Sequence, residues 1–289
     1  MNSLKLINKL HFPSIIGKSK RELDEFVQDI DNHYKEWFEI KVDKKTNRPK
    51  TYKDGTVKQR VIRPSKPALK LIQKQIKDRI LSLIELPGNV HGGVKKKSNI
   101  TNAKPHQGKK YILTTDLQDF YPSIKAQKVY QSFLKLGFNT QFAYYITRFT
   151  TWKGELPQGT PTSTHISNII FLETDNKLIE LCNNHNITYT RYIDDLTFSS
   201  QSDFQHIIEQ ILNIILQSGL KISRRKTFYN GQQTVTGINI FLNKIDAPEK
   251  ILTKVKEEEI LPDGTPKPYT TYWKNILKTN KKKGVKNTM

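Results

Sequence analysis

Tyr192-Ile193-Asp194-Asp195 sets two adjacent carboxylates between two runs rich in Thr, Tyr, Ile and Phe, residues 187–192 and 196–199. Such residues favour strands, so the pair is predicted to fall at the turn of a hairpin, where both side chains can face one cation. Magnesium takes hard oxygen ligands and usually binds one or two carboxylates plus substrate phosphates. Sites of that kind run phosphoryl and nucleotidyl transfer. An isolated Asp-Asp turn is more often simply solvated, and the company this pair keeps argues otherwise. Asp116 ends the strand-like run 111–116 and is followed by Phe120-Tyr121. Between it and the Asp pair lies the turn Leu156-Pro157-Gln158-Gly159-Thr160-Pro161, ahead of a helical pattern.

The elements that must position these groups alternate between helix and strand. Helical spacing runs over 20–38 (Leu23, Phe26, Val27, Ile30, Tyr34, Trp37, Phe38), over 66–85 from Pro67, over 125–149, over 162–183, and over 203–218, closed by Gly219. Residues 41–63 read as a hairpin about Lys53-Asp54-Gly55-Thr56, and 234–240 as a short strand or turn. One strand ends in a carboxylate and one hairpin turns on two, which predicts an α+β fold with an antiparallel sheet carrying the site.

Composition narrows the partner. The 289 residues carry a formal net charge of +21, too large an excess for an enzyme of small neutral substrates. Residues 41–110 hold 20 Lys or Arg against 4 Asp or Glu, about three quarters of the net charge, interleaved with Tyr52, Pro64 and Gly92-Gly93. A solubility surface mixes in acids, whereas this one suits a phosphate backbone. The stretch from Lys274 to Met289 has six Lys and no acid, and its last ten residues read as disordered. No apolar run is long enough to span a membrane, and Met1-Asn2-Ser3-Leu4-Lys5 does not open a signal peptide. The single cysteine, Cys182, reads as a buried packing residue. These features fit a cytoplasmic protein.

An Asp-x-x-x-aromatic segment, a Pro-Gln-Gly turn and a Tyr-x-Asp-Asp hairpin, in that order, resemble the palm of the reverse transcriptases. Asn102-Ala103-Lys104-Pro105-His106 and Val235-Thr236-Gly237 resemble the Asn-Ala-x-x-His and Val-Thr-Gly motifs of the retron branch. The chain departs from bacterial relatives at Gly93, Thr164 and Ser223, and only 52 residues follow Gly237. The resemblance implies a right-hand polymerase of fingers, palm and thumb with an antiparallel palm sheet. Residues 1–110 would form N-terminal helices and fingers, 111–125 the first part of the palm, 126–155 fingers and palm helices, 156–240 the rest of the palm, and 241–289 a short or divergent thumb with a basic tail.

The resemblance also implies roles. Asp116, Asp194 and Asp195 would be catalytic and would hold two Mg2+ ions, with the main-chain carbonyl of Leu117 as a further ligand. Arg60 would hold the triphosphate, with Arg63 as the competing candidate. Tyr121 would exclude the ribose 2′-hydroxyl, Gln158 and Gly159 would line the nucleotide, and Lys226 would protonate the leaving pyrophosphate or belong to a solvated cluster with Arg224 and Arg225. Asn102, His106, Val235, Thr236 and Gly237 would bind RNA, with a hydrogen-bonded role inside the fold as the alternative for Asn102 and His106. His91 reads as structural. The implied activity is RNA-directed DNA synthesis from dNTPs, copying a cognate noncoding RNA from a 2′-hydroxyl primer into branched RNA-linked DNA. Such systems serve anti-phage defence with a separate effector protein. The competing readings are a group II-like, diversity-generating or abortive-infection enzyme, or a non-catalytic RNA-binding scaffold.

Overall fold

The structure, a computed structural model, describes residues 11–43, 46–52, 54–230 and 234–280. Met1–Lys5, Lys53 of the predicted turn and residues 281–289 of the basic tail lie outside them. The chain divides into two compact units: the described residues of Met1–Leu86 with Asp119–Leu172, and those of Pro87–Gln118 with Glu173–Met289.

Helices Phe12–Ile16, Lys20–Gln28, Pro67–Arg79, Ala126–Lys135 and Thr140–Thr150 build the first unit. Phe12 joins them, stacking on Tyr145 at 5.1 Å and meeting Phe142 edge-on at 5.3 Å. Pro67 starts its helix, as expected, because an N–H there would have no intrahelical partner. The helix expected over 20–38 is shorter. It opens on a capping box of Ser19 and Glu22 and ends at Gln28. Beyond a 3-10 turn at Ile30–His33, strand β1 (Trp37–Ile40) pairs antiparallel with β2 (Gln59–Ile62). Trp37, Phe38 and Ile40 favour extended backbone, and β2 supplies the hydrogen bonds that a helix would have made internally. The 41–63 hairpin therefore begins earlier than its sequence signal. At its tip the Tyr52 N–H donates to Thr56 at 2.8 Å and Gly55 takes φ +84°. The helix expected over 125–149 is two helices, parted where Gly137 turns at φ +91° and the Asn139 side chain caps the Phe142 N–H at 2.8 Å.

Helix Ser163–Asn184 starts in the first unit and ends in the second. The second unit carries a four-stranded antiparallel sheet of β3 (Tyr111–Asp116), β4 (Thr188–Tyr192), β5 (Asp195–Ser200) and β6 (Phe228–Tyr229), in the order β4-β5-β3-β6. A second, three-stranded sheet joins β7 (Thr234–Val235), β8 (Ile238–Ile240) and β9 (Ile245–Asp246). Helices Glu249–Glu259 and Pro268–Lys278 follow it. Val235, Ile238, Ile245 and Ile276 share one apolar cluster with Ile100, Ala103 and Ile112. The fold is thus α+β with antiparallel sheets. Among the described residues no helix is long and apolar enough to cross a membrane.

Candidate active site

Antiparallel register sets Asp116, the last residue of β3, directly opposite Asp195, the first of β5. Like charges across a ladder destabilise it, so the pair needs a positive partner. Tyr192 pairs with Asp195 to close the β4–β5 hairpin, leaving Ile193 and Asp194 as its turn. The Asp194 carbonyl accepts the Leu117 N–H at 2.9 Å, and the Asp116 carbonyl accepts the Ser223 N–H at 2.8 Å. These main-chain bonds tie the three aspartates to one end of the sheet.

The electrostatics follow from crowding. Burial first, then the charges of Asp194 and Asp116, push Asp195 up to about 7. The Lys226 ammonium bonds Asp116 Oδ2 at 2.7 Å. Burial opposes that ammonium's charge, but the bond to Asp116 and the three nearby carboxylates outweigh it and raise its pKa. Among the described residues no group of three His, Cys, Asp or Glu is arranged to hold a metal ion; in this arrangement Asp116 bonds an ammonium. The donors themselves fit Mg2+: hard carboxylate oxygens, one of them reluctant to ionise beside its neighbours, where a divalent charge would relieve the repulsion.

The turn is held from below. Ile193 takes φ +60°, rare for a β-branched residue. The Arg191 guanidinium donates to the Ile193 carbonyl at 2.9 Å and forks onto Asp175 at 3.0 and 2.6 Å. Asp175 also accepts the Tyr189 hydroxyl at 2.7 Å. Arg191 and Asp175 are both fully buried. Sequence reasoning missed this pair, although a signal existed. Asp175 shares the helical stripe of Phe171, Leu178 and Cys182, all buried, and a carboxylate on an apolar stripe demands a cation.

The residues expected at the nucleotide, Lys226 excepted, belong to the first unit. Arg60 is exposed on β2, opposite Glu39. Arg63 is engaged by Glu36 and Glu155, each at 2.5 Å, which leaves Arg60 the better candidate of the two. The Gln158 carbonyl accepts the Arg63 N–H at 2.8 Å. Gly159 takes φ +107° against Ile62 and Pro64. Tyr121 shares a hydroxyl hydrogen bond with Thr164 at 3.0 Å, while Phe120 is buried against Phe171.

Direct RNA contact at Asn102, His106 and Val235 is corrected by their complete burial. His106 bridges two strands, Nδ1 to Ser199 Oγ at 2.6 Å and Nε2 to Thr190 Oγ1 at 2.7 Å. Burial, with His91 and Lys109 nearby, lowers its pKa to about 3, so it is neutral. His91 is buried too, with Nδ1 on Thr101 Oγ1 at 2.9 Å. Thr236 and Gly237, at φ +45° and +78°, form the β7–β8 turn. There the two motifs meet: Asn102 donates to Thr236 Oγ1 at 3.2 Å, and Asn99 to the Thr236 carbonyl at 3.3 Å and the Tyr272 hydroxyl at 2.7 Å. Gly237 alone of the five is exposed, with Thr236 half-buried.

Residues 43–240 match the family described as reverse transcriptase (RNA-dependent DNA polymerase). Among curated proteins, the chain is 35% identical over 191 residues to the Retron Ec86 reverse transcriptase of Escherichia coli, covering 64% of this chain and 59% of that protein. It is 29% identical over 220 residues to the Retron Se72 reverse transcriptase of Salmonella heidelberg (strain 579083-10), covering 74% and 55%. Against the Retron Mx65 reverse transcriptase of Myxococcus xanthus it is 28% identical over 204 residues, covering 63% and 48%. The chain thus spans roughly half to three fifths of these relatives' lengths. A solved structure of telomerase from Candida albicans, in complex with a TWJ fragment of telomeric RNA, aligns with 90% of this chain and 57% of that one, at a TM-score of 0.48 and 12% identity.

Proposed function

The chain belongs to the reverse transcriptase family, and from that premise we propose that it is the RNA-directed DNA polymerase of a retron. The observation that carries the catalytic reading is Asp116 standing opposite Asp195, with Asp194 in the adjoining turn. The retron reading is supported by relatives that carry that name and by the meeting of the Asn-Ala-x-x-His and Val-Thr-Gly motifs. The template is a cognate noncoding RNA, a guanosine 2′-hydroxyl within it is the primer, and dNTPs are the substrates. The product is single-stranded DNA branched from RNA. The system serves anti-phage defence in the cytoplasm, with an effector on a separate chain.

Asp116, Asp194, Asp195 and the Leu117 carbonyl would hold two Mg2+ ions, whose chemistry is to acidify the attacking hydroxyl and to neutralise the leaving pyrophosphate. Lys226, kept protonated by the aspartates, is the proton donor to that pyrophosphate. Arg60 suits the triphosphate because its fork binds phosphate oxygens in pairs. Tyr121 excludes the ribose 2′-hydroxyl, Gln158 and Gly159 line the nucleotide, and Thr236 and Gly237 are the RNA-facing part of their motif.

The test is the nucleic acid that co-purifies with the protein expressed from its native locus, beside Asp194→Asn. A discrete DNA joined to RNA through a 2′-linkage, absent from a variant that still holds the RNA, is the expected result. RNA alone in both preparations would point to a different reverse transcriptase or to a binding protein.

A further inference from the structure

Residues 89–91 run beside β4 as a parallel neighbour. The Arg191 N–H donates to the Asn89 carbonyl at 2.9 Å, the His91 N–H donates to the Arg191 carbonyl at 2.8 Å, and Val90 pairs with Arg191. This backbone then passes against the aspartate turn at Gly92, which is buried. A methyl group on Gly92 would stand 2.4 Å from the Ile193 nitrogen, 2.5 Å from Ile193 Cγ1 and 2.9 Å from the Tyr192 carbonyl carbon. Two of those three atoms are main chain and cannot swing aside. Gly92 is not among the glycines at positive φ, so the need for glycine here is one of space and not of conformation. A second hold comes from Arg191, whose guanidinium keeps the Ile193 carbonyl at 2.9 Å.

We propose that Gly92 is a positioning residue for Asp194 and Asp195. Its missing side chain lets the 89–92 backbone pack against the nitrogen and side chain of Ile193 while Arg191 holds the Ile193 carbonyl. Together they keep Ile193 at φ +60°, a conformation it would otherwise leave. The carboxylates of Asp194, within the turn, and Asp195, next to it, are thereby fixed against Asp116. The catalytic part of this inference rests on the polymerase reading above.

Gly92→Ala, alone and combined with Ile193→Gly, is compared with the parent chain. The readouts are single-nucleotide addition on a primed RNA, RNA affinity, and the rise in melting temperature given by Mg2+. In Gly92→Ala, kcat is expected to fall about a hundredfold, the size of loss that a displacement near 1 Å produces. The nucleotide KM, RNA affinity and cooperative melting stay near the parent's, and the Mg2+ response shrinks. Adding Ile193→Gly recovers part of both losses, because glycine removes Cγ1 and lets the turn shift without a steric penalty. A Gly92→Ala protein with full activity and full Mg2+ response overturns the proposal. So does a loss of RNA binding and cooperative melting that Ile193→Gly does not relieve. If the parent itself extends no primer, the polymerase reading falls, and the Mg2+ responses of the variants still decide the role of Gly92.

Discussion

Asp195 holds its proton to about 7, where its ordinary value is 3.8, from burial first and then from Asp194 and Asp116. Folding therefore favours the protonated form. The resulting stability is fully present below 3.8 and is lost as pH rises through about 7. The histidines act in the opposite sense. Burial lowers His106 to about 3 and His91 to about 4, so their contribution is present above 6.5 and lost as pH falls through those values. Asp195→Asn separates the two. Relative to the parent, the metal-free variant is expected to gain stability progressively from pH 4 to pH 8, read as a rising melting temperature and amounting to a free-energy difference on the order of a few kcal/mol at the alkaline end. Mg2+ is expected to raise the parent's melting temperature and to leave the variant's nearly unchanged. A parent and variant whose melting curves track each other over that range would mean that the carboxylates do not crowd.

Strands β4 and β5 reach their working geometry through helix Ser163–Asn184, because Asp175 neutralises Arg191 and Arg191 braces the turn. Removing one partner of a buried pair strands the other charge. Asp175→Ala is expected to lower unfolding free energy by about 3–5 kcal/mol in a denaturant titration, far beyond an exposed ion pair. A cost under about 1 kcal/mol would mean that water reaches Arg191. The elements themselves were largely legible in sequence. The run 111–116 is the strand β3 residue for residue, and of the Asp pair Asp194 does lie in a hairpin turn while Asp195 opens the strand after it. Local pattern failed where a distant segment supplied the bonds: Trp37–Ile40 leaves the helical register because Gln59–Ile62 pairs with it. It failed again at Gly137-Phe138-Asn139, where apolar spacing runs on through a break made by a glycine and a cap. His106 finds Ser199 and Thr190 across more than eighty residues of chain, a contact that no window of sequence contains.

At the scale of the molecule, charge is the readable quantity. Residues 41–110 hold 16 of the 21 net positive charges, from 20 bases less 4 acids. Arg60, Lys95, Lys96 and Lys110 among them are exposed. Each phosphate neutralised releases a counterion, so the logarithm of RNA affinity should fall linearly and steeply with the logarithm of salt concentration. Replacing Lys95 and Lys96 by Gln is expected to reduce that slope; an unchanged slope removes these lysines from the RNA-binding surface. The joining of Asn99 and Asn102 to Thr236 and Tyr272 has a different consequence, for inheritance. The segment after residue 233 cannot be exchanged between relatives as a free-standing cassette, because its turn and its last described helix are fitted to side chains laid down more than 130 positions earlier. Recombination that splits the two halves would bring together mismatched surfaces, so lineages should carry 99–106 and 234–276 as one linked block.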